Sequence, residues 1–213
     1  MLFNKALTAE QRLTKAVVSI MDNPKYVALS GVLMLGSKTV EPDETKCPTA
    51  YTNGRDEVYG EKFVEQLNDA ELRFVVLHEC YHKLYRHLTT WRHLYDKHAQ
   101  CANMACDYVI NLKIADENKD GFAKIPDIGC CYDEQYRDWD SARVFNELMK
   151  DAKDKPQGQG QGQGQGALDS HGWDDAKEMD AEEAKKLERD IDAAIRQGAL
   201  AAGKMGSGGD RSF

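Results

Sequence analysis

Residues 74–88 read FVVLHECYHKLYRHL, an apolar run with His78, Glu79 and His82 set inside it. Phe74, Leu77, Tyr81, Leu84 and Leu88 recur at helical spacing, and Val75 and Val76 carry the apolar surface further round. A helix that is apolar on most sides has to be buried. Burying His, Glu and His without partners is costly. The fold must therefore give these three side chains something to bind. A polar set on an exposed helical face would need no such partner, but its apolar surroundings argue against that placement.

Positions i and i+4 share one helical face, so His78 and His82 can offer imidazole nitrogens to one ion. Glu79 lies one residue on, about 100° further round by the 3.6-residue period. It can reach a water on that ion without ligating it. His-Glu-x-x-His on a helix is the pattern of zinc peptidases, with two histidine ligands and a glutamate base. Zn²⁺ suits imidazole, and catalytic sites use three protein ligands plus a water. Glu79 would then take the water's proton and return it to the leaving amine.

Several residues could supply the third ligand. Residues 101–114, CANMACDYVINLKI, are apolar nearly all round except for Asn103, Asp107 and Asn111, spaced four apart on one face. A carboxylate on a buried helix must be paired or bound to a metal. Asp107 is therefore read as the third ligand. It could instead orient His78 or His82, or pair with Arg73 or Arg86. Asn103 and Asn111 read as hydrogen bonders between helices. His87 lies five residues after His82, about 140° away on a continuous helix. That makes it an awkward ligand and a better orienting or packing residue. His93 and His98, among Arg92, Asp96 and Lys97, read as solvated.

Elsewhere the pattern is coarser. Residues 8–22 predict a helix with Thr8 as N-cap and Gln11 three residues on. Residues 26–36, YVALSGVLMLG, lean towards strand. A polar loop follows. Residues 49–60 predict a hairpin about Asn53-Gly54, the signature of a type I′ turn. Asn68 and Glu71 predict a capping box opening the motif helix, which should run to about Thr89. A second helix is expected over roughly 95–115, and a short one after Ser141. Residues 157–166 repeat Gln-Gly and read as a flexible linker. Residues 180–203 read as a charged helix, and the last residues as disordered. The expected organisation is thus a domain over 1–150, a linker over 151–169, a charged helical segment over 170–204 and a tail over 205–213.

Twenty-eight Lys and Arg stand against 36 Asp and Glu, a net charge of −8. That balance disfavours nucleic acid and anionic membrane surfaces as partners. No run of about 18 apolar residues exists, and the N-terminus lacks the pattern of a secretory leader. A cytoplasmic location is expected, with the six cysteines reduced. None of them forms a C-x-x-C pair, so a cysteine zinc site is not expected.

LHECYHKLYRH, NMACDYVIN, IPDIG and PTAYTNGRDEVYGEKFVEQLNDAEL together resemble the putative metallopeptidase domain family of bacteria and their phages, often found upstream of a von Willebrand A-like domain. The resemblance covers roughly residues 8–150, and SHGWDDA echoes it. It implies a zincin-like fold with His78, Glu79 and His82 as the active-site motif. Asp107 and His87 both fall on the family pattern. Cys80 and Tyr81 depart from it, at positions usually aliphatic.

The fold expected is α+β: mostly helical, with a small antiparallel sheet from residues 26–60 beside the motif helix. By analogy with zincins, an edge strand at Thr49, Ala50, Tyr51 and Thr52, or else the arm Asp56–Tyr59, would pair with an extended substrate. The function expected is a zinc peptidase acting on a protein or peptide. The competing expectation is a metal-stabilised module without turnover, docking a protein partner through the charged C-terminal helix.

Overall fold

The structure is a computed structural model, and it describes residues 6–153 and 179–207. The expected Gln-Gly linker over 157–166 and the last six residues lie outside them. Eight α-helices are described: α1 (Ala9–Asp22), α2 (Ser30–Leu33), α3 (Glu61–Gln66), α4 (Asp69–Leu84), α5 (Arg92–Tyr95), α6 (Ala99–Glu117), α7 (Ser141–Lys153) and α8 (Ala181–Ser207). Two 3₁₀ turns, Val27–Leu29 and Glu134–Tyr136, join them, with three short strands: β1 (Lys38–Glu41), β2 (Ala50–Thr52) and β3 (Glu57–Gly60). The expected α+β mixture holds. The sheet, however, is mixed rather than antiparallel. Its order is β1-β3-β2, with β1 parallel to β3 and β2 antiparallel to it.

Both predicted caps form. Thr8 and Gln11 bond reciprocally at the start of α1, as do Asn68 and Glu71 at the start of α4. Residues 26–36 are not a strand. They form the first 3₁₀ turn and α2, and they pack against α8. A Cβ on Gly31 would sit 1.9 Å from the Ala194 carbonyl oxygen, and one on Gly198 would sit 2.0 Å from that of Ala28. Two glycines let the backbones touch, and this tertiary contact overrides the strand leaning of the apolar run. Leu187, Ile191 and Ala194 of α8 are buried.

The hairpin is present without the predicted two-residue turn. Four residues, 53–56, connect β2 to β3. Only Gly54 among them has a left-handed backbone, at φ 92°. The Asn53 Oδ1 instead accepts from the amides of Arg55 (3.0 Å) and Asp56 (2.8 Å), an Asx turn.

Helix α4 ends at Leu84, not near Thr89. Arg86 takes φ 57°, its amide donates to the Lys83 carbonyl at 3.0 Å, and the His87 amide donates to the His82 carbonyl at 3.1 Å. That pair of bonds is a Schellman motif. It is built on arginine where glycine is usual, so no glycine advertises the stop.

Two apolar clusters flank α4 and α6. One joins Leu13 and Ile20 of α1 to Leu72, Phe74, Val75 and Val76 of α4. The other joins Ala102, Ala105 and Leu112 of α6 to Val144 and Phe145 of α7. Fully burying each such Leu, Ile, Val or Phe contributes roughly 1.5–3 kcal/mol. Packing of these clusters fixes the rotation of α4 and α6 about their axes, and so decides which polar residues meet between them.

Candidate metal centre

His78, Glu79 and His82 on α4 and Asp107 on α6 are all fully buried. The Nε2 atoms of His78 and His82 are 3.0 Å apart. The Asp107 Oδ1 lies 3.5 Å from the first and 3.4 Å from the second. Three donors bound tetrahedrally at 2.0–2.1 Å stand about 3.3 Å from one another. The observed triangle therefore has the size that such an ion requires.

The hydrogen bonds around the triangle fix the His78 proton. The Asn111 Nδ2 donates to the Cys131 carbonyl at 2.9 Å, so the Asn111 Oδ1 faces the His78 Nδ1 at 2.8 Å. An amide oxygen can only accept, so the His78 Nδ1 carries hydrogen. In the neutral ring the Nε2 is then a bare lone pair, pointed at a carboxylate oxygen and a second imidazole nitrogen. Lone pairs and carboxylate converging in a buried space is an arrangement a cation stabilises.

The second histidine is held the same way. The His82 Nδ1 is 2.9 Å from the His87 Nδ1, and the His87 Nε2 is 3.2 Å from the Ser141 Oγ. With hydrogen on the His82 Nδ1, the chain of donors runs outward through His87 to Ser141 and leaves the His82 Nε2 lone pair on the triangle. Metal-binding histidines are oriented in this way through their second nitrogen.

The structure thus brings His78, His82 and Asp107 into one group, with Asn111 and His87 bonded to the two imidazoles. His87 does not share the triangle. It reaches His82 because the Schellman turn folds the chain back, a geometry a continuous helix does not allow. Asn103 makes no hydrogen bond to the group, and its buried Oδ1 accepts none. Neither arginine weighed for Asp107 pairs with it: Arg73 donates to the Phe122 carbonyl, and Arg86 pairs with Asp192. His98 is not simply solvated, because its Nδ1 caps α6 by accepting from the Cys101 amide at 3.2 Å. Ser141 went unnoticed in the sequence beyond its capping role.

Beside Glu79 lies a second polar group. Tyr59 is fully buried, and its phenol is raised well above its usual value by burial first, then by the charges of Glu57 and Glu79. The Tyr59 hydroxyl donates to the Glu57 carboxylate, which also carries Lys83 at 2.6 Å and Lys38 at 3.1 Å. Neither Glu57 nor Lys83 was flagged by motif or spacing. The available signal was strand alternation, which puts Glu57 and Tyr59 on one face of β3.

Two imidazoles and a carboxylate converging from two packed helices define a candidate metal-binding protein. The chain matches the model of the family described as "Putative metallopeptidase domain" over residues 8–211, and it belongs to that family. No curated protein and no solved structure matches it. The family sets the coarse class, a metal-dependent hydrolase.

Proposed function

We propose that the protein is a zinc-dependent peptidase that hydrolyses peptide bonds in a protein or peptide, with His78, His82 and Asp107 holding the ion and Glu79 as general base. The observation that carries this reading is the placement of Glu79. It is a fully buried carboxylate one residue after a proposed ligand histidine, on the helix that carries both histidines. A purely structural zinc site is closed by four ligands and has no use for a neighbouring base. When bound, the ion polarises the scissile carbonyl and acidifies the water beside it. Glu79 takes the proton and passes it to the leaving amine. Asn111 and His87 keep the two imidazoles in the tautomer that offers Nε2.

The edge strand β2 is the proposed rail for an extended substrate. It is the outermost strand on its side of the described sheet, next to β3, and Tyr51 lies between the buried Ala50 and Thr52. All six cysteines are free thiols, which fits a reducing compartment such as the cytoplasm. Among the described residues no helix is long and apolar enough to cross a membrane.

One observation favours the second reading, a metal-stabilised binding module. The donors are fully buried, and Leu187 and Ile191 of α8 line the narrow crevice that touches His82. A site without access has no turnover. Metal content and peptide cleavage, measured on the wild type and on Glu79→Gln, separate the two. The peptidase reading expects Glu79→Gln to keep the metal and lose about 10²–10⁴-fold in rate. Full metal content with no cleavage of any protein or peptide by the wild type favours the module.

A further inference from the structure

We infer that the cavity behind His87 binds a basic side chain, so that the substrate is a protein or peptide presenting lysine or arginine there. The inference rests on the peptidase reading for its meaning and on the cavity alone for its test. The cavity has a volume of about 400 Å³. Its walls are aromatic: Tyr85, Trp91, Tyr136 and Trp139. Its floor is His87 and Ser141, the same two residues that continue the hydrogen bonds of His82. The space therefore begins one imidazole ring away from a proposed metal ligand. It is roomy enough for one long side chain and small for a folded segment.

Charge selects which side chain. The two cations at the rim are already matched. Arg137 pairs with Asp116 and lies 3.5 Å from Glu134, and Lys113 lies 3.0 Å from Glu117. Asp138 and Asp140 also line the cavity. Both are exposed, and no lysine or arginine pairs with either among the described residues. Three carboxylates, Asp116, Asp138 and Asp140, thus line the cavity with two cations, and the carboxylates of Asp138 and Asp140 are the ones that neither cation matches. Anionic side chains are repelled, and a cation is attracted.

The aromatic walls act in the same sense, because a guanidinium or ammonium is drawn to the face of an indole or phenol ring. Trp139 already shows this affinity, with the Arg143 guanidinium carbon 3.8 Å from its ring centroid. Apolar walls with an acidic rim suit the long apolar stem and charged head of lysine and arginine. A neutral side chain of equal length would fill the walls but leave the rim unmatched.

The test is binding to the full-length, metal-loaded chain carrying Glu79→Gln, so that cleavage plays no part. Trp91 and Trp139 are two of the three tryptophans, and their fluorescence reports the cavity directly. The probes are the N-acetyl amides of arginine, lysine, norleucine and glutamate. Saturable binding of arginine and lysine is expected, about tenfold tighter than norleucine and lost for glutamate. Asp138→Asn, a change at an exposed position, should shrink the preference over norleucine, and Trp139→Leu should abolish binding, both with metal content unchanged. Equal binding of norleucine and lysine overturns the inference, as does the absence of a saturable response, or a preference unaltered in both variants. None of those results bears on whether the wild type cleaves peptides, which the Glu79 comparison decides separately.

Discussion

Helix α4 carries two buried polar groups side by side, and they solve the same problem in opposite ways. His82 and Lys83 are adjacent, and both are fully buried. Lys83 faces Glu57 at 2.6 Å and donates to the Leu35 carbonyl at 2.8 Å. Lys38 joins the same carboxylate, and Tyr59 donates to it. That group balances itself with the chain's own cations and hydrogens. One residue back along the helix, His82 and His78 turn lone pairs towards each other and towards the Asp107 carboxylate. The His78 hydrogen is committed on the far side of its ring, to Asn111, and the His82 Nδ1 faces His87, which can take its hydrogen in the same way.

The difference shows what to look for in a buried polar cluster. Burial alone does not mark a ligand site, since Glu57 and Lys83 are as buried as His78 and Asp107. What separates the two is where the protons point. A cluster whose donors face its acceptors is structural, and it specifies the packing of β3 against α4. A cluster whose donors all face outward, with acceptors converging, has room for an external cation.

The strongest way to break the comparison is to remove one carboxylate from each group. Asp107→Ala should lower metal affinity by more than the roughly 100-fold that marks the loss of an orienting residue. Glu57→Ala should leave metal content at the wild-type level while destabilising the fold. Competition against a chelator of known affinity measures the first, and denaturant unfolding the second. Metal retained in Asp107→Ala and lost in Glu57→Ala would reverse the roles assigned to the two groups.

Much of the candidate metal group is legible in the sequence, and little of the other is. His78 and His82 share a face by helical period, and Asp107 stands out as the one acid in the largely apolar stretch 101–114. Both are local signals. Glu57 and Lys83 sit 26 residues apart with no recurring spacing, and only the docking of β3 on α4 pairs them. The same reason hid β1, whose polar KTVE becomes a strand because β3 lies parallel beside it. The approach of Gly31 to Ala194 likewise turned a strand-like run into α2. His87 is the instructive case. On an unbroken helix it would lie about 140° round from His82, but the helix breaks at Arg86, whose left-handed backbone nothing in the sequence signals.

Lys83→Met sharpens the comparison from the other side. Breaking a buried ion pair by deleting one partner typically costs about 3–5 kcal/mol, because the other charge stays buried. Lys38 still faces Glu57 in the variant, so the loss should fall towards the lower end. The double change Lys83→Met with Glu57→Leu should recover most of it, as apolar replacements of buried pairs often do. Metal content should be unchanged throughout. A double variant no more stable than the single one would mean that the pair contributes more than its own neutralisation.

A smaller effect is expected at His87. Its Nδ1 lies 2.9 Å from the His82 Nδ1, and by accepting there it favours the tautomer whose Nε2 lone pair faces the triangle. His87→Ala should weaken metal binding by about 10–100-fold, the usual cost of losing an orienting partner. His87→Gln keeps an acceptor and should recover part of that loss. Should His87→Ala strip the metal while Asp107→Ala holds it, three histidines form the ligand set and the Asp107 assignment is wrong.

The smallest effect concerns Lys38, at the edge of the self-balanced group. Its ammonium is held below the usual lysine value of 10.5, chiefly because burial disfavours the charge, with the attraction of Glu57 opposing and the repulsion of Lys83 assisting. A lysine whose folded value is depressed binds its proton less tightly in the native state than in the unfolded chain. Between the depressed folded value and 10.5 the unfolded state therefore holds more protons, and stability from this group rises with pH across that window. Below the window the cost of burying the charged form is fully present, and above it the neutral amine is buried without that cost. Urea unfolding of the wild type and of Lys38→Met, compared at steps from neutral pH to pH 10.5, isolates the contribution, since Tyr59 and Cys80 titrate in both proteins. The stability difference between wild type and variant should grow in favour of the wild type as pH rises. A difference that is flat, or that shrinks, would mean that Glu57 outweighs burial and that Lys38 is as fully matched by its carboxylate as Lys83 is.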